Sequence, residues 1–209
     1  MHLKKVIYGG EDIRVAKKAV IMLHGRGAGP QDILSLSSYL ALDGFALLAP
    51  QATNNTWYPL SFMAPPVANE PWLSSALNLL NEIVSDTVRG GISRENIFFL
   101  GFSQGACLTL EYVTRNATKY GGVAAFTGGL IGDKIYTENY KGDFENTPVF
   151  IGTSNPDPHV PVVRVHATTN ILKNMNANVT EKIYENMGHT ISQDEIEIVN
   201  TQIFGQAIF

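Results

Sequence analysis

Gly101-Phe102-Ser103-Gln104-Gly105 is a G-x-S-x-G sequence, and a serine framed by glycines at that spacing suits nucleophilic catalysis. Its hydroxyl is held out from a cramped strand-to-helix turn, and the glycines let the two elements approach closely. A glycine-eased turn whose serine merely caps the helix would read the same way. A serine hydroxyl attacks poorly at neutral pH until a base takes its proton, and that base needs a third group to orient it. The histidines after Ser103 are His159, His166 and His189. His166 falls inside a helical pattern. His189 follows the strand expected over 178–185, in Asn186-Met187-Gly188-His189-Thr190, a loop at a strand's carboxyl end where a base should stand. His159 is its rival, although a position two residues from Asp157 makes simultaneous reach to Asp157 and Ser103 awkward. Asp157, fixed between Pro156 and Pro158, is the favoured orienting acid. It also reads as a helix cap in a stiff turn, and Asp133 and Asp143 are weaker candidates.

Acyl transfer develops negative charge on a carbonyl oxygen, and backbone N–H groups must already face it. One donor is expected from Gln104, the residue after the nucleophile. The other is expected from His24-Gly25-Arg26-Gly27, with Arg26 as the choice. The Arg26 side chain is also a candidate contact for an anionic substrate. A phosphate cradle is the competing reading of this glycine-rich loop, but G-x-G-x-x-G fails at Pro30 and no G-K-[ST] follows. A bland tight turn is the other. Trp57, Tyr58, Phe62 and Met63 are candidates for an apolar acyl pocket, with packing onto the core as the alternative for each. Cys107 reads as a small buried residue.

These groups need a scaffold that brings loops together. Residues 18–23, 45–49, 96–100, 122–127, 148–152 and 178–185 read as strands. The first five are short, nearly continuous apolar runs bounded by turn residues. Helical spacing recurs over 31–42, 71–88, 104–117, 160–175 and 192–208. Residues 51–71 show no period and carry four of the ten prolines, which marks a functional or mobile loop. Alternating strands and helices imply an α/β fold, with a mostly parallel sheet covered by helices on both faces. Ligands in such sheets bind beyond the carboxyl ends of the strands, and the candidate residues all follow strands. No linker or repeat divides the 209 residues, so 1–209 reads as one domain.

Composition narrows the class. Hydrophobic residues make up 44% and charged residues 16%, against about 25% charged in an average soluble domain, which excludes a charged, disordered chain. A net charge of −4 with 15 Lys plus Arg argues against non-specific nucleic-acid binding. No apolar run approaches a membrane span, and no signal peptide is expected of the first ten residues, whose two lysines are followed by no long apolar segment. One cysteine excludes an internal disulfide framework and a thiolate metal cage. The expectation is a cytoplasmic protein with no metal and no cofactor.

The chain resembles the phospholipase/carboxylesterase family of small α/β-hydrolases, which includes acyl-protein thioesterases. Four segments carry the likeness: Leu23-His24-Gly25-Arg26-Gly27-Ala28; Trp57-Tyr58; Leu100-Gly101-Phe102-Ser103-Gln104-Gly105-Ala106; and Asp157-Pro158-His159-Val160-Pro161 with Gly188-His189. The resemblance implies an α/β-hydrolase fold, a triad of Ser103, Asp157 and His189, and an oxyanion hole from the Arg26 and Gln104 amides. Family members often have Leu where Arg26 stands and commonly an Asp near Ala28, so the likeness supports the reaction better than the substrate. The expected function is metal-independent hydrolysis of carboxylic esters, thioesters or lysophospholipids through an acyl-enzyme. The expected partner is a small-molecule ester. No nucleic acid and no stable membrane insertion are expected, and a homodimer stays open. A non-catalytic binding protein on the same fold and a cofactor-free perhydrolase are the alternatives. Dienelactone-type hydrolysis, which normally uses cysteine as nucleophile, is disfavoured by Ser103.

Overall fold

Lys18–Leu23 is apolar at nearly every position because the strand it forms is covered on both faces. Ala19, Ile21 and Leu23 point into one core and Val20 and Met22 into the other, the two-residue alternation of a pleated strand. The same alternation splits Ile97 and Phe99 from Phe98 and Leu100. The structure, a computed structural model, describes residues 1–205.

The strands are β1 (Val6–Gly10), β2 (Lys18–Leu23), β3 (Phe45–Pro50), β4 (Ile97–Phe102), β5 (Gly122–Phe126), β6 (Pro148–Asn155) and β7 (Asn178–Glu185). They form one seven-stranded sheet in the order β1-β3-β2-β4-β5-β6-β7. β1 runs antiparallel to β3 and every other pair is parallel. The helices are α1 (Pro30–Leu34), α2 (Trp72–Arg89), α3 (Gln104–Arg115), α4 (Val162–Asn174) and α5 (Gln193–Val199). Residues from α2, α3 and α4 build the core on one face of the sheet, and α1 and α5 contribute to the core on the other.

From β2 the chain moves to β3 on one side and later returns to β4 on the other. The loops leaving β2 and β4 therefore diverge over a crevice, the usual ligand position in such sheets. Leu23 pairs with Gly101 in register, which sets His24-Gly25-Arg26 beside Ser103.

Three expectations about elements need correction. The helix expected over 31–42 is α-helical only to Leu34 and then tightens to a 3-10 turn over Ser35–Tyr39. Serine hydroxyls explain the change: Ser35 Oγ donates to Asp32 O at 2.6 Å and Ser38 Oγ to Ser35 O at 2.9 Å, competing with regular helix bonds. β1 was not expected. It is short, half-exposed and ends in Gly9-Gly10, so no buried face marks it. The closing helix starts as expected, with Ser192 and Glu195 in a capping box, but turns to π geometry over Asn200–Phe204. Its expected end at 206–208 lies outside the described residues.

Candidate active site

Ser103 sits between β4 and α3 with φ 54° and ψ −117°, a backbone conformation that side-chain-bearing residues rarely adopt. The flanking glycines make it feasible. A Cβ on Gly101 would lie 2.4 Å from the Gly105 carbonyl oxygen, and one on Gly105 would lie 2.1 Å from the Leu23 carbonyl oxygen. Neither contact can exist, so α3 crosses β4 and β2 this closely only with glycine at both positions. The Ser103 N–H donates to Phe126 O at 2.9 Å. Although Ser103 occupies the N-cap of α3, its side chain does not cap the helix. Its hydroxyl lies instead 2.8 Å from His189 Nε2.

His189 follows β7, and its Nδ1 lies 2.8 Å from Asp157 Oδ2. Asp157 follows β6, and its side chain has no exposed surface. Its other oxygen, Oδ1, accepts the backbone N–H groups of His159 and Val160, both at 2.8 Å. The residue thus both closes a turn and meets the imidazole. Burial pushes the Asp157 carboxyl up, but the bonds from His189, His159 and Val160 together hold it below the ordinary carboxylate range. An ionised Asp157 fixes the His189 tautomer with Nδ1–H toward the acid, leaving Nε2 to accept from Ser103. Such a row can draw a proton from a hydroxyl into an imidazole.

The rival candidates stand elsewhere. His159 lies edge-on to His189 at 4.9 Å between ring centroids and gives Asp157 its backbone N–H, not its ring. His166 is exposed and pairs with Glu181 at 2.7 Å. Asp133 is hydrogen-bonded to Tyr136. Asp143 accepts from the Glu145 amide and from Asn176.

The row opens into a cavity of about 550 Å³ whose wall includes Gly25, Arg26, Tyr58, Phe62, Phe102 and Cys107. Arg26 and Gln104 both lie on this wall, and among the described residues neither backbone N–H donates to a protein acceptor. Of the four pocket candidates, Tyr58 and Phe62 line the cavity. Trp57 and Met63 do not. Trp57 is fully buried with its Nε1–H on His24 O at 2.9 Å, and Met63 packs against the core beneath. Cys107 lies on the wall, where burial pushes its thiol up to about 12, so it stays protonated and unreactive.

The Gln104 side chain has a role that its expected N–H contribution did not include. Its Oε1 accepts from the Trp57 N–H at 3.0 Å and its Nε2 donates to Tyr58 O at 2.8 Å, pinning residues 56–58 over the start of α3. His24 is another unanticipated support. Its Nδ1–H donates to Gly25 O at 2.8 Å, and its Nε2 accepts from the Ala52 N–H at 3.2 Å. Both bonds suit a neutral ring, and burial, partly offset by the Gly25 bond, lowers its pKa. Asn69 completes the set, accepting from the Leu60 N–H and donating to Ser61 O. Only the buried polar character of these side chains reveals them, and that is invisible before the chain is folded. Among the described residues no group of three or more His, Cys, Asp or Glu is placed to hold a metal ion. No helix among them is long and apolar enough to cross a membrane.

Comparison with known proteins agrees with this architecture. A crystal structure of a phospholipase/carboxylesterase from Dyadobacter fermentans is 59% identical, covers 97% of each chain and superposes with a TM-score of 0.96. A probable carboxylesterase, SOBER1-like, of Arabidopsis thaliana is 27% identical over 206 residues, spanning 90% of this chain and 78% of the relative. Acyl-protein thioesterase 1 of Kluyveromyces lactis is 27% identical over 205 residues, spanning 87% and 89%. The phospholipase/carboxylesterase family model matches residues 10–204. With that match and the seven-stranded α/β-hydrolase sheet, the chain belongs to the phospholipase/carboxylesterase family and is a hydrolase.

Proposed function

We propose that this protein is a serine hydrolase that cleaves carboxylic esters and thioesters through a covalent acyl-enzyme. The observation that carries the reading is the row Ser103–His189–Asp157, joined by two contacts of 2.8 Å at the mouth of the cavity. Ser103 Oγ attacks the substrate carbonyl while His189 Nε2 takes its proton, and Asp157 stabilises the imidazolium. The Arg26 and Gln104 N–H groups hold the negative oxygen of the tetrahedral intermediate. His189 returns the proton to the departing alcohol or thiol, leaving acyl-Ser103. A water, deprotonated by the same imidazole, attacks the acyl carbon; His189 returns that proton to Ser103 Oγ as the acid leaves.

The names of the relatives, carboxylesterase and acyl-protein thioesterase, support esters and thioesters alike as substrates. The cavity, bounded by Tyr58, Phe62 and Phe102, suits a small-molecule ester with an apolar acyl portion. One continuous sheet from β1 to β7 supports a single catalytic domain over residues 1–209, and the relatives named acyl-protein thioesterase suit a cytoplasmic location. The contact between His189 and Ser103 speaks against a non-catalytic binding protein. A peroxide-dependent halogenation assay separates hydrolysis from perhydrolysis.

The test is covalent. A fluorophosphonate probe labels Ser103 in the wild type, and Ser103→Ala loses both labelling and p-nitrophenyl acetate hydrolysis, the latter by a factor on the order of 10⁶. Labelling of another residue, or hydrolysis surviving in the variant, defeats the assignment. A series of p-nitrophenyl esters from acetate to palmitate, beside a lysophospholipid and an acyl thioester, then fixes chain length and bond type.

A further inference from the structure

Five titratable side chains lie on the cavity wall: Arg26, Tyr58, Cys107, His159 and His189. Tyr58 and Cys107 are kept neutral by burial. No acidic side chain lines the wall, and Asp157 is hidden behind His189 with no exposed surface. Among the described residues, Arg26 therefore holds the one permanent charge facing the cavity. It has no carboxylate partner there. Its Nη1 donates to Pro59 O at 2.8 Å and its Nη2 to Leu60 O at 2.6 Å, and both acceptors are neutral carbonyls. Asp32, the nearest acid along the chain, turns its carboxylate to the Gly29 N–H at 2.7 Å. An exposed guanidinium on a wall with no other permanent charge, in a chain of net charge −4, is an unmatched positive site.

From this placement we infer that Arg26 is a specificity-determining residue that selects esters carrying a carboxylate. The inference rests on the acyl-enzyme reading of Ser103. The reason is geometric as well as electrostatic. The Arg26 backbone is the proposed oxyanion donor, so its guanidinium stands one side-chain length from the scissile carbonyl. The two carbonyl bonds brace the fork on the cavity rim while leaving Nε and the remaining N–H groups to an anion. A guanidinium prefers a planar carboxylate, which it can bind through two parallel bonds. The anion can lie on the acyl or the alcohol side of the ester bond, and the chemistry of recognition is the same.

Two matched pairs test this. p-Nitrophenyl hydrogen adipate against p-nitrophenyl hexanoate places the charge on the acyl side. 3-Carboxy-4-nitrophenyl acetate against 4-nitrophenyl acetate places it on the alcohol side. The expected result is an anionic-to-neutral ratio of kcat/KM of about tenfold or more in one pair, falling toward one in Arg26→Gln and only partly retained in Arg26→Lys. Arg26→Lys separates charge from bracing, because an ammonium cannot reproduce the fork across Pro59 and Leu60. Loosening of that loop alone would lower both members of a pair and leave the ratio unchanged. Raising the salt concentration from about 0.02 M to about 0.5 M should also lower the wild-type ratio, which keeps the test alive if Arg26→Gln fails to fold. A ratio near one in both pairs, a ratio indifferent to salt, or one unaltered in Arg26→Gln overturns the inference. Failure of the underlying reading looks different, since Ser103→Ala would then still hydrolyse the neutral esters.

Discussion

The turn at Ser103 and the loop over residues 51–71 face the same cavity and are held by different means. The turn is fixed by what its backbone excludes. Side chains at Gly101 and Gly105 would collide with carbonyls at 2.4 and 2.1 Å, and Asp157 is held by two backbone amides. The loop is fixed by what side chains supply: from outside it, Gln104 to residues 57 and 58 and Arg26 to residues 59 and 60; from within it, Asn69 to residues 60 and 61. Steric exclusion permits one geometry. Side-chain bonds of about 1 kcal/mol each allow adjustment. The difference suits a site whose reacting atoms must be exact in position while its wall can adjust around what it binds.

Among the substitutions that probe this contrast, Asp157→Asn has the largest expected effect. Oδ1 accepts two backbone N–H groups, so the asparagine carbonyl must take that place and its NH₂ must face His189 Nδ1. The imidazole is then driven to carry its proton on Nε2, where it cannot accept from Ser103. We expect kcat to fall by about 10³–10⁴ with little change in fold, measured by steady-state hydrolysis beside circular dichroism. A loss of less than tenfold would mean that the backbone does not fix the rotamer, and the contrast between turn and loop would break on its rigid side.

Gly105→Ala tests steric exclusion directly. Its Cβ would meet the Leu23 carbonyl at 2.1 Å, and backbone cannot yield as a flexible side chain can. A destabilisation of about 3 kcal/mol is expected, read from urea unfolding. Gly27→Ala is the control. Gly27 has φ +81° but open space around its would-be Cβ, so only backbone strain of about 1–2 kcal/mol applies. Equal losses would show that strain, and not collision, explains the glycine requirement.

The same contrast explains what could be read before folding. The G-x-S-x-G turn was legible because a steric demand leaves a residue type at a fixed spacing, and His189 because it follows a strand that reads over its full length, Asn178–Glu185. Strand β2 was legible because its two buried faces leave an unbroken apolar run. β1 was not, since an edge strand with half-exposed side chains has no such mark. Trp57 was expected on the cavity wall, but a buried tryptophan needs a partner for its N–H, and the His24 carbonyl that supplies it lies 33 residues away. The Gln104 clamp joins residues 47 apart. Nothing in the spacing of glutamine and tryptophan announces a contact of that kind.

Gln104→Ala carries the smallest expected effect and the sharpest test of the comparison. The variant keeps the backbone N–H proposed for the oxyanion hole and keeps Ser103 in its turn. What it loses is the acceptor for the Trp57 N–H and the donor to Tyr58 O, two bonds whose absence leaves a buried amide unpaired at about 1–3 kcal/mol. Residues 56–58 should then move on the cavity wall while the reacting row stays in place. The expected outcome is a roughly tenfold fall in kcat/KM, mainly through KM, because binding is lost equally in ground and transition states. Labelling by a small fluorophosphonate, which needs the turn but little of the wall, should slow by much less. If kcat instead falls a hundredfold or more with KM unchanged, the loop is part of the transition-state machinery, and wall and turn must be treated as one unit.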